Sequence, residues 1–200
     1  EEVMTYEFSS RTSFDDNQGF LQANVFYNDY DGYQALSSTR FIVNMDKVAT
    51  YGAELAVNWM VSEDLELNAG VGLLDTEIKN AAEEYPDADG NELNSAPKLT
   101  ANVGLKYWLT DGINVGISAN YVDEYYGDFT NTPTRVAGDY SLLRLFAGYE
   151  TENWMISAFV NNALDEEAFT AVEPASGRYP TGYVAIVDPR NVGVSVTYSF

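Results

Sequence analysis

The stretch that decides the fold is NVGVSVTYSF, residues 191–200. Successive side chains of a β-strand point to opposite faces, so this stretch has one apolar face and one face of small or polar side chains. The apolar face consists of Val192, Val194, Val196, Tyr198 and Phe200. Chain termini usually fray into solvent, and a water-soluble protein rarely ends on an apolar strand closed by Phe. The stretch therefore predicts a strand with one face in lipid.

Eight further segments alternate in the same way along the chain. They are residues 4–14, 21–30, 55–61, 65–73, 99–109, 113–121, 143–149 and 154–160. Each has about seven to eleven residues, which suits a tilted strand that crosses a bilayer in part or in full. No run of about eighteen apolar residues is present, so a transmembrane helix is excluded and a β-barrel is the only spanning structure left.

The apolar rows of residues 55–61, 65–73, 99–109, 113–121 and 192–200 carry no charge. The charged residues that fall well inside a segment lie on the opposite row: Glu7, Arg11, Glu54, Glu66, Lys106 and Arg144. An ionised side chain that faces lipid near the midplane costs about 2 to 4 kcal/mol, so this placement favours a polar lumen behind the apolar rows. A soluble antiparallel sandwich also hides one face of each sheet, and alternation alone leaves that alternative open.

The connections between segments alternate between short and long. Short connections are expected at residues 15–19, 62–64, 110–112 and 150–153, and long ones at about 31–49, 76–97, 123–139 and 162–189. An outer-membrane barrel has tight periplasmic turns at one end and long extracellular loops at the other, whereas a sandwich has no reason to keep this order. Loop length thus favours an all-β antiparallel transmembrane barrel whose carboxyl terminus lies at the periplasmic end.

Composition excludes several other classes of protein. The chain has no Cys, so it has no disulfide and no thiolate metal site. It also has no His, the usual general base of outer-membrane hydrolases, and we expect no enzymatic activity and no cofactor. The net charge of −21 argues against nucleic acid as a partner, because a binder of phosphate backbones needs a basic face.

Two features of the long connections have both a functional and a structural interpretation. The acidic run Asp87-Ala88-Asp89-Gly90-Asn91-Glu92 is similar to a calcium loop, but its Gly comes too early and the distal Glu of an EF-hand is missing, so a solvated turn is the simpler alternative. Six tyrosines at the ends of segments predict first an interfacial girdle and second a ligand-binding surface: Tyr27, Tyr30, Tyr33, Tyr121, Tyr125 and Tyr126.

Six short motifs occur in a fixed order along nearly the whole chain. They are Tyr6-Glu7-Phe8, Phe26-Tyr27-Asn28-Asp29-Tyr30, Tyr51-Gly52-Ala53-Glu54-Leu55, Ala96-Pro97-Lys98, Asn161-Asn162-Ala163-Leu164-Asp165-Glu166-Glu167 and Pro189-Arg190-Asn191-Val192-Gly193. On these motifs the chain resembles the carboxyl-terminal part of a TonB-dependent outer-membrane receptor.

The resemblance implies a barrel of about 22 strands closed by an amino-terminal plug. It implies import of a scarce nutrient, such as a ferric siderophore, haem, cobalamin or an oligosaccharide, driven by the TonB system. Residues 1–200 then supply about nine carboxyl-terminal strands, and the plug and the earlier strands are expected upstream. The expected surroundings are outer-membrane lipid and lipopolysaccharide.

Named residues are expected to have two roles in such a receptor. Lys106 and Arg144 are inward cations that pair either with plug carboxylates or with Glu54 and Glu66, and a lumenal charge ladder that satisfies itself is the simpler alternative. Tyr198 and Phe200 are similar to the terminal signal that the barrel-assembly machinery reads, and the alternative for Phe200 is an interfacial anchor.

Three other functions stay open from the sequence. A small autonomous barrel, acting as a porin, an adhesin or a structural anchor, needs a tenth strand at about residues 182–187. An outer-membrane enzyme would have to work with carboxylates or Tyr alone. A soluble sugar-binding sandwich would purify as a monomer without detergent.

Overall fold

The computed structural model describes residues 1–37, 41–173, 175 and 180–200, and their regular structure is almost entirely β-strand. The strands are β1 (Glu2–Phe14), β2 (Gly19–Leu36), β3 (Ile42–Ser62), β4 (Leu65–Asn80), β5 (Leu99–Thr110), β6 (Ile113–Val122), β7 (Tyr125–Tyr126), β8 (Val136–Ala137), β9 (Tyr140–Glu150), β10 (Trp154–Asn161), β11 (Phe169–Glu173), β12 (Tyr183–Ile186) and β13 (Asn191–Tyr198). Two single 3-10 turns, Pro86–Ala88 and Pro133–Arg135, lie in the connections. Within the described residues, no helix is long and apolar enough to cross a membrane.

Nine of these strands form one antiparallel sheet in the order β1-β2-β3-β4-β5-β6-β9-β10-β13. Each strand of this sheet pairs with the next of the nine strands along the chain. The small strands β7, β8, β11 and β12 lie in the long connections and form two separate pairs. Among the described residues β1 and β13 are not paired with each other, so the sheet is open at both edges. The predicted all-β antiparallel architecture with nine main strands is confirmed.

The apolar residues of neighbouring strands stand side by side across the sheet. One row, with one residue from each of seven strands, consists of Trp59, Leu67, Leu105, Ile117, Leu145, Val160 and Val192. Every member is apolar, and Leu105, Ile117 and Leu145 are each about two-fifths exposed. A slip of one residue between two strands would turn part of this row to the other face, so the register keeps the apolar side continuous.

The opposite face carries aromatic rings that lie over glycines of the neighbouring strand. Phe146 is opposite Gly116, and Phe159 is opposite Gly193. A Cβ atom at Gly116 would lie only 2.1 Å from the Phe146 ring, and one at Gly193 only 2.3 Å from the Phe159 ring. These two glycines leave the space that the rings fill, so the inner surface is packed and not only polar.

The short connections occur where the sequence predicts them, at residues 15–18, 63–64, 111–112 and 151–153. The turn between β5 and β6 shows why its sequence is Asp-Gly. Gly112 has a φ of +85°, which favours glycine, and a Cβ atom there would lie 2.3 Å from the carbonyl oxygen of Glu150. The turn therefore depends on both the conformation and the small size of glycine.

Three boundary predictions differ from the structure. Strand β4 continues to Asn80, although a connection is expected from about residue 76. Most of the long connection expected at residues 31–49 is strand, because β2 and β3 continue to pair as far as Leu36 and Ile42. Phe200 was expected in the last strand, but β13 ends at Tyr198. For the extended ends of β2, β3 and β4, alternation of polarity is a poor guide, since backbone pairing beyond the membrane does not require an apolar face.

A small hydrophobic core lies at the long-connection end of the sheet. Its buried members are Ala35, Met45, Val48, Ile78, Ala82, Ala88, Leu93 and Phe129. They come from the extended ends of β2, β3 and β4 and from the connections that follow β4 and β6. These connections are thus folded onto the sheet.

Candidate functional site

The inner wall is the face of the sheet that carries the four candidate residues Glu54, Glu66, Lys106 and Arg144. The register of the strands places all four on the face opposite the apolar row. Lys106 lies directly opposite Glu66 on the neighbouring strand, and Arg144 lies opposite Ser118. The structure therefore brings Glu66 and Lys106 together and leaves Glu54 on a different level of the wall.

The two cations of the inner wall lie against aromatic rings. The Lys106 ammonium is 4.5 Å from the centre of the Trp108 ring. The Arg144 guanidinium is 5.7 Å from the centre of the Phe146 ring and 5.6 Å from that of Phe159. Such contacts stabilise a cation modestly without neutralising its charge. Among the described residues, no ion pair within 4.0 Å joins either cation to a carboxylate.

Hollows in the inner wall adjoin these side chains. One of about 240 Å³ is lined by Lys106, Arg144, Phe146 and Phe159 together with Asn114 and Ser157. A second, of about 380 Å³, lies beside Glu54, Asn102 and Asn120. The first hollow, which Glu150 also lines, offers two cations, one carboxylate and hydrogen-bond donors, and the second offers a carboxylate among amides.

One buried acceptor on the inner wall lacks a donor. Asn24 lies directly opposite Glu54, and its side-chain oxygen is buried without a hydrogen-bond partner. A buried acceptor without a partner costs free energy, so this level of the wall has unused capacity to accept a hydrogen bond. Sequence analysis missed Asn24, Phe146 and Phe159. The available signal was a shared face: each of the three lies on the same face of the sheet as a charged residue of its own strand or of a neighbouring strand.

The second candidate region is the cap, which we define as residues 81–98, residues 123–139, and strands β11 and β12. Paired hydrogen bonds join the first two parts. The Glu92 amide donates to Oδ1 of Asn131 at 2.8 Å, and the Asn131 side-chain amide donates to the Glu92 carbonyl at 2.9 Å. The Tyr85 and Phe129 rings pack edge to face at 5.1 Å. The cap is therefore one folded structure.

A nearly buried arginine joins the third part of the cap to the second. The Arg135 guanidinium lies 3.4 Å from Asp128 and 2.9 Å from Glu173 of β11. Tyr125 donates its hydroxyl to the Thr170 carbonyl at 2.9 Å, and burial raises the pKa of Tyr125. One polar contact inside the cap, the hydrogen bond from Tyr125 to Thr170, thus depends on protonation of the Tyr125 phenol.

Contacts in the cap and at the strand ends bear on the two open interpretations of the long connections. Tyr27 and Tyr121 lie on the apolar face, where a girdle is expected, but Tyr30 and Tyr33 pack against the hydrophobic core, and their rings meet edge to face at 5.5 Å. In the acidic run, Asp89 accepts a hydrogen bond from the Ala81 amide at 2.6 Å. Among the described residues, no group of three metal-ligating side chains is placed to hold an ion.

The terminal aromatic residues lie at the short-turn end. The Tyr198 ring packs 4.7 Å from Trp154 and 5.1 Å from Phe200. Phe200 is fully exposed and lies beyond the last strand. The three rings form an aromatic edge on the face that carries the apolar row.

Comparison with known proteins adds family information to this geometry. The family described as TonB dependent receptor-like, beta-barrel matches residues 1–163. A curated relative, the probable TonB-dependent siderophore receptor PiuA of Acinetobacter baumannii, is 23% identical over 209 residues, which is 100% of this chain and 27% of PiuA. The chain thus spans about a quarter of the length of that relative.

Two solved structures share the fold. The crystal structure of the siderophore receptor PiuA from A. baumannii matches with a TM-score of 0.80 at 23% identity, over 98% of this chain and 28% of that one. The ferric yersiniabactin uptake receptor FyuA from Yersinia pestis matches with a TM-score of 0.82 at 20% identity, over 99% of this chain and 30% of that one.

Proposed function

The chain belongs to the TonB dependent receptor-like β-barrel family, and we propose that it is part of a receptor that imports a scarce nutrient, such as a ferric siderophore. Proteins of this family lie in the outer membrane of Gram-negative bacteria. The short turns then face the periplasm, and the cap faces the cell exterior. The family is one of receptors and transporters and not of enzymes.

The observation that carries this proposal is the nine-stranded open sheet with one apolar and one polar face. Strand edges that remain unpaired cannot face lipid, so β1 and β13 need further strands beside them. We propose that other strands of the same receptor complete a barrel of about 22 strands and that a plug fills its lumen. Residues 1–200 would then be the carboxyl-terminal part of that barrel.

The inner wall suits contact with such a plug. Within the part of the chain that the structure describes, neither Lys106 nor Arg144 forms an ion pair with a carboxylate, so both could bind acidic side chains of the plug. Glu54 and the unsatisfied oxygen of Asn24 would accept donors from it. When the TonB system pulls on the plug, these contacts would have to break before cargo passes. We propose this role for the four candidate residues of the wall.

Cargo is proposed from the relatives alone. The names of PiuA and FyuA describe a siderophore receptor and a ferric yersiniabactin receptor. A ferric siderophore is therefore the first cargo to test. The test is uptake of radioactive iron, supplied as a panel of ferric siderophores, by a strain that lacks the complete receptor and by the same strain with the receptor restored.

Uptake is expected only in the restored strain and only while its TonB system is intact. A matched strain without TonB is the control for energised transport. If the restored strain imports none of the ferric complexes above the level of the deletion strain, ferric siderophore import is not the function.

The plug contact has its own test. The double variant Lys106→Met and Arg144→Met is expected to loosen the plug and to make cells sensitive to large antibiotics that the intact outer membrane excludes. Leu145→Met, next to Arg144 but in the apolar row, is the matched control. Equal sensitivity of the double variant and the control would argue that the two cations do not hold the plug.

The alternative of a small autonomous barrel lacks its closing strand in the described residues. Residues 183–186 do form a strand, as that alternative requires, but β12 pairs with β11 and stays outside the nine-stranded sheet. A closed ring formed by the isolated 200-residue chain, seen as heat-dependent gel mobility, would favour the alternative.

We also propose that Tyr198 and Phe200 are read by the barrel-assembly machinery. Full exposure of Phe200 and its edge-to-face packing on Tyr198 suit recognition by another protein. Outer-membrane lipid and lipopolysaccharide would then cover the apolar row after insertion.

A further inference from the structure

We infer that the cap stays closed throughout transport, meaning that its parts keep their contacts with one another and with the strand ends. Any opening of the receptor's mouth then takes place outside residues 81–98 and 123–139. The inference rests on the proposed transport function. It concerns the movement of the long extracellular connections. Such connections look flexible in the sequence, but here three independent sets of contacts hold them in place.

The first set is the hydrophobic core beneath the cap. Met45, Val48 and Ile78 of the sheet are fully buried, and Phe129 of the cap is 2% exposed. Lifting residues 123–139 would expose Phe129 and its partner Tyr85 to water together. Burial of this extent is typical of a domain interior and not of a lid that opens in each cycle.

The second set joins the first two parts of the cap through the backbone. The Ser95 amide donates to the Tyr126 carbonyl at 2.8 Å, and the Asn91 side-chain amide donates to the Phe129 carbonyl at 3.1 Å. With the two bonds between Glu92 and Asn131, four hydrogen bonds cross this boundary. An outward movement of one part would leave several backbone groups unpaired at once.

The third set joins β11 to the second part of the cap. Besides the Arg135 and Tyr125 contacts, the Gly138 amide donates to the Phe169 carbonyl at 3.0 Å. The backbone at Gly138 also packs closely on residue 123, because a Cβ atom there would lie 2.2 Å from the Asp123 carbonyl oxygen. All of these described contacts hold the cap as a single body on the ends of β2, β3 and β4.

A closed cap makes a specific prediction for a cross-linked receptor. The chain has no native cysteine, so Ser95→Cys and Tyr126→Cys introduce the only pair within it. The hydrogen bond between these residues limits the distance between their Cα atoms to about 6.7 Å, within the range that a disulfide spans. A short bismaleimide replaces oxidation if the disulfide does not form.

The experiment compares iron uptake by the complete receptor with the cysteine pair cross-linked and reduced. Uptake is expected to change less than twofold, and the Ser95→Cys and Tyr126→Cys single variants given the same treatment are the controls. A tenfold loss on cross-linking that reduction restores would overturn the inference. Failure of the reduced receptor to import any ferric complex would instead count against the proposed function.

Hydrogen exchange tests the cap without any cargo. In the complete receptor, peptides that contain Glu92, Ser95 and Gly138 are expected to exchange within tenfold of the rate of peptides from β4 and β5. Exchange of the cap peptides a hundredfold or more faster than the strand peptides would show frequent opening and would overturn the inference, whatever the cargo is.

Discussion

Glutamate substitutions at two adjacent positions of β6 test the assignment of the two faces. Ile117 belongs to the apolar row, between Leu105 and Leu145, and Ser118 lies on the inner wall opposite Arg144. Because neighbouring residues of a strand point in opposite directions, Ile117→Glu and Ser118→Glu place the same charge on opposite sides of the sheet.

The size of the effect follows from the depth of Ile117. It lies four residues from Ile113 at the turn and four from Tyr121 at the girdle. Four residues span about 13 Å along a strand, or about 10 Å along the membrane normal at a tilt of about 40°. Ile117 is thus near the middle of an apolar band about 25 Å tall.

A carboxylate there costs somewhat less than the 2 to 4 kcal/mol of a basic residue, so we expect Ile117→Glu to destabilise the inserted barrel by about 2 kcal/mol. This corresponds to about a 30-fold change in the folding equilibrium. Ser118→Glu places a carboxylate opposite Arg144 on the neighbouring strand. We expect the folding free energy to change by no more than about 0.5 kcal/mol.

The assay is urea-dependent folding of the complete receptor into phosphatidylcholine vesicles, followed by heat-dependent gel mobility. Outer-membrane yield in cells gives a second readout. Equal losses for the two variants, or a greater loss for Ser118→Glu, would refute the reasoning that lipid covers the row containing Ile117.

Three further predictions concern the carboxyl terminus and the cap. Phe200→Ala should lower outer-membrane yield more than Val194→Ala, since Phe200 extends beyond the strand while Val194 is one member of a long apolar row, and equal yields would count against a terminal signal. Arg135→Met leaves the carboxylates of Asp128 and Glu173 without their cation and should destabilise the cap by about 3 kcal/mol, seen as cleavage of residues 123–139 by protease at concentrations that spare the parent receptor. Burial raises the pKa of Tyr125, so the stability that its hydroxyl contributes is complete below about pH 10 and is lost as pH rises through the folded value. Proteolysis of the cap should therefore accelerate at alkaline pH in the parent more than in Tyr125→Phe, and identical pH profiles would contradict this assignment.

Local polarity predicted the membrane part of the sheet well. Most lipid-facing rows are apolar at every second residue, with Ser10 and Thr12 of β1 as exceptions, so strand, face and short turn could all be found within windows of about ten residues. The aromatic terminus and the inward position of Lys106 and Arg144 followed from the same alternation. The ends of β2 and β3 did not, because Asp29, Asp31 and Lys47 interrupt the apolar pattern although their backbones continue to pair.

The cap is the part that local patterns could not predict. Glu92 and Asn131 are 39 positions apart, and Arg135 meets Glu173 across 38, so neither contact has a signature in a short window of sequence. The acidic run at residues 87–92 is a turn in which Asp87 and Asp89 are exposed, and the contact of Asp89 with the Ala81 amide, eight residues earlier, was not predicted.

By itself, the amino-acid sequence determined which side of each strand meets hydrocarbon, because the cost of placing charge or polar groups in lipid is imposed residue by residue. Only the tertiary structure decided that the three connections fold into one cap and that the inward cations lie on aromatic rings. Those outcomes depend on residues that lie tens of positions apart in the chain and meet only in the folded sheet. A local periodicity cannot predict which distant residue a buried side chain will contact.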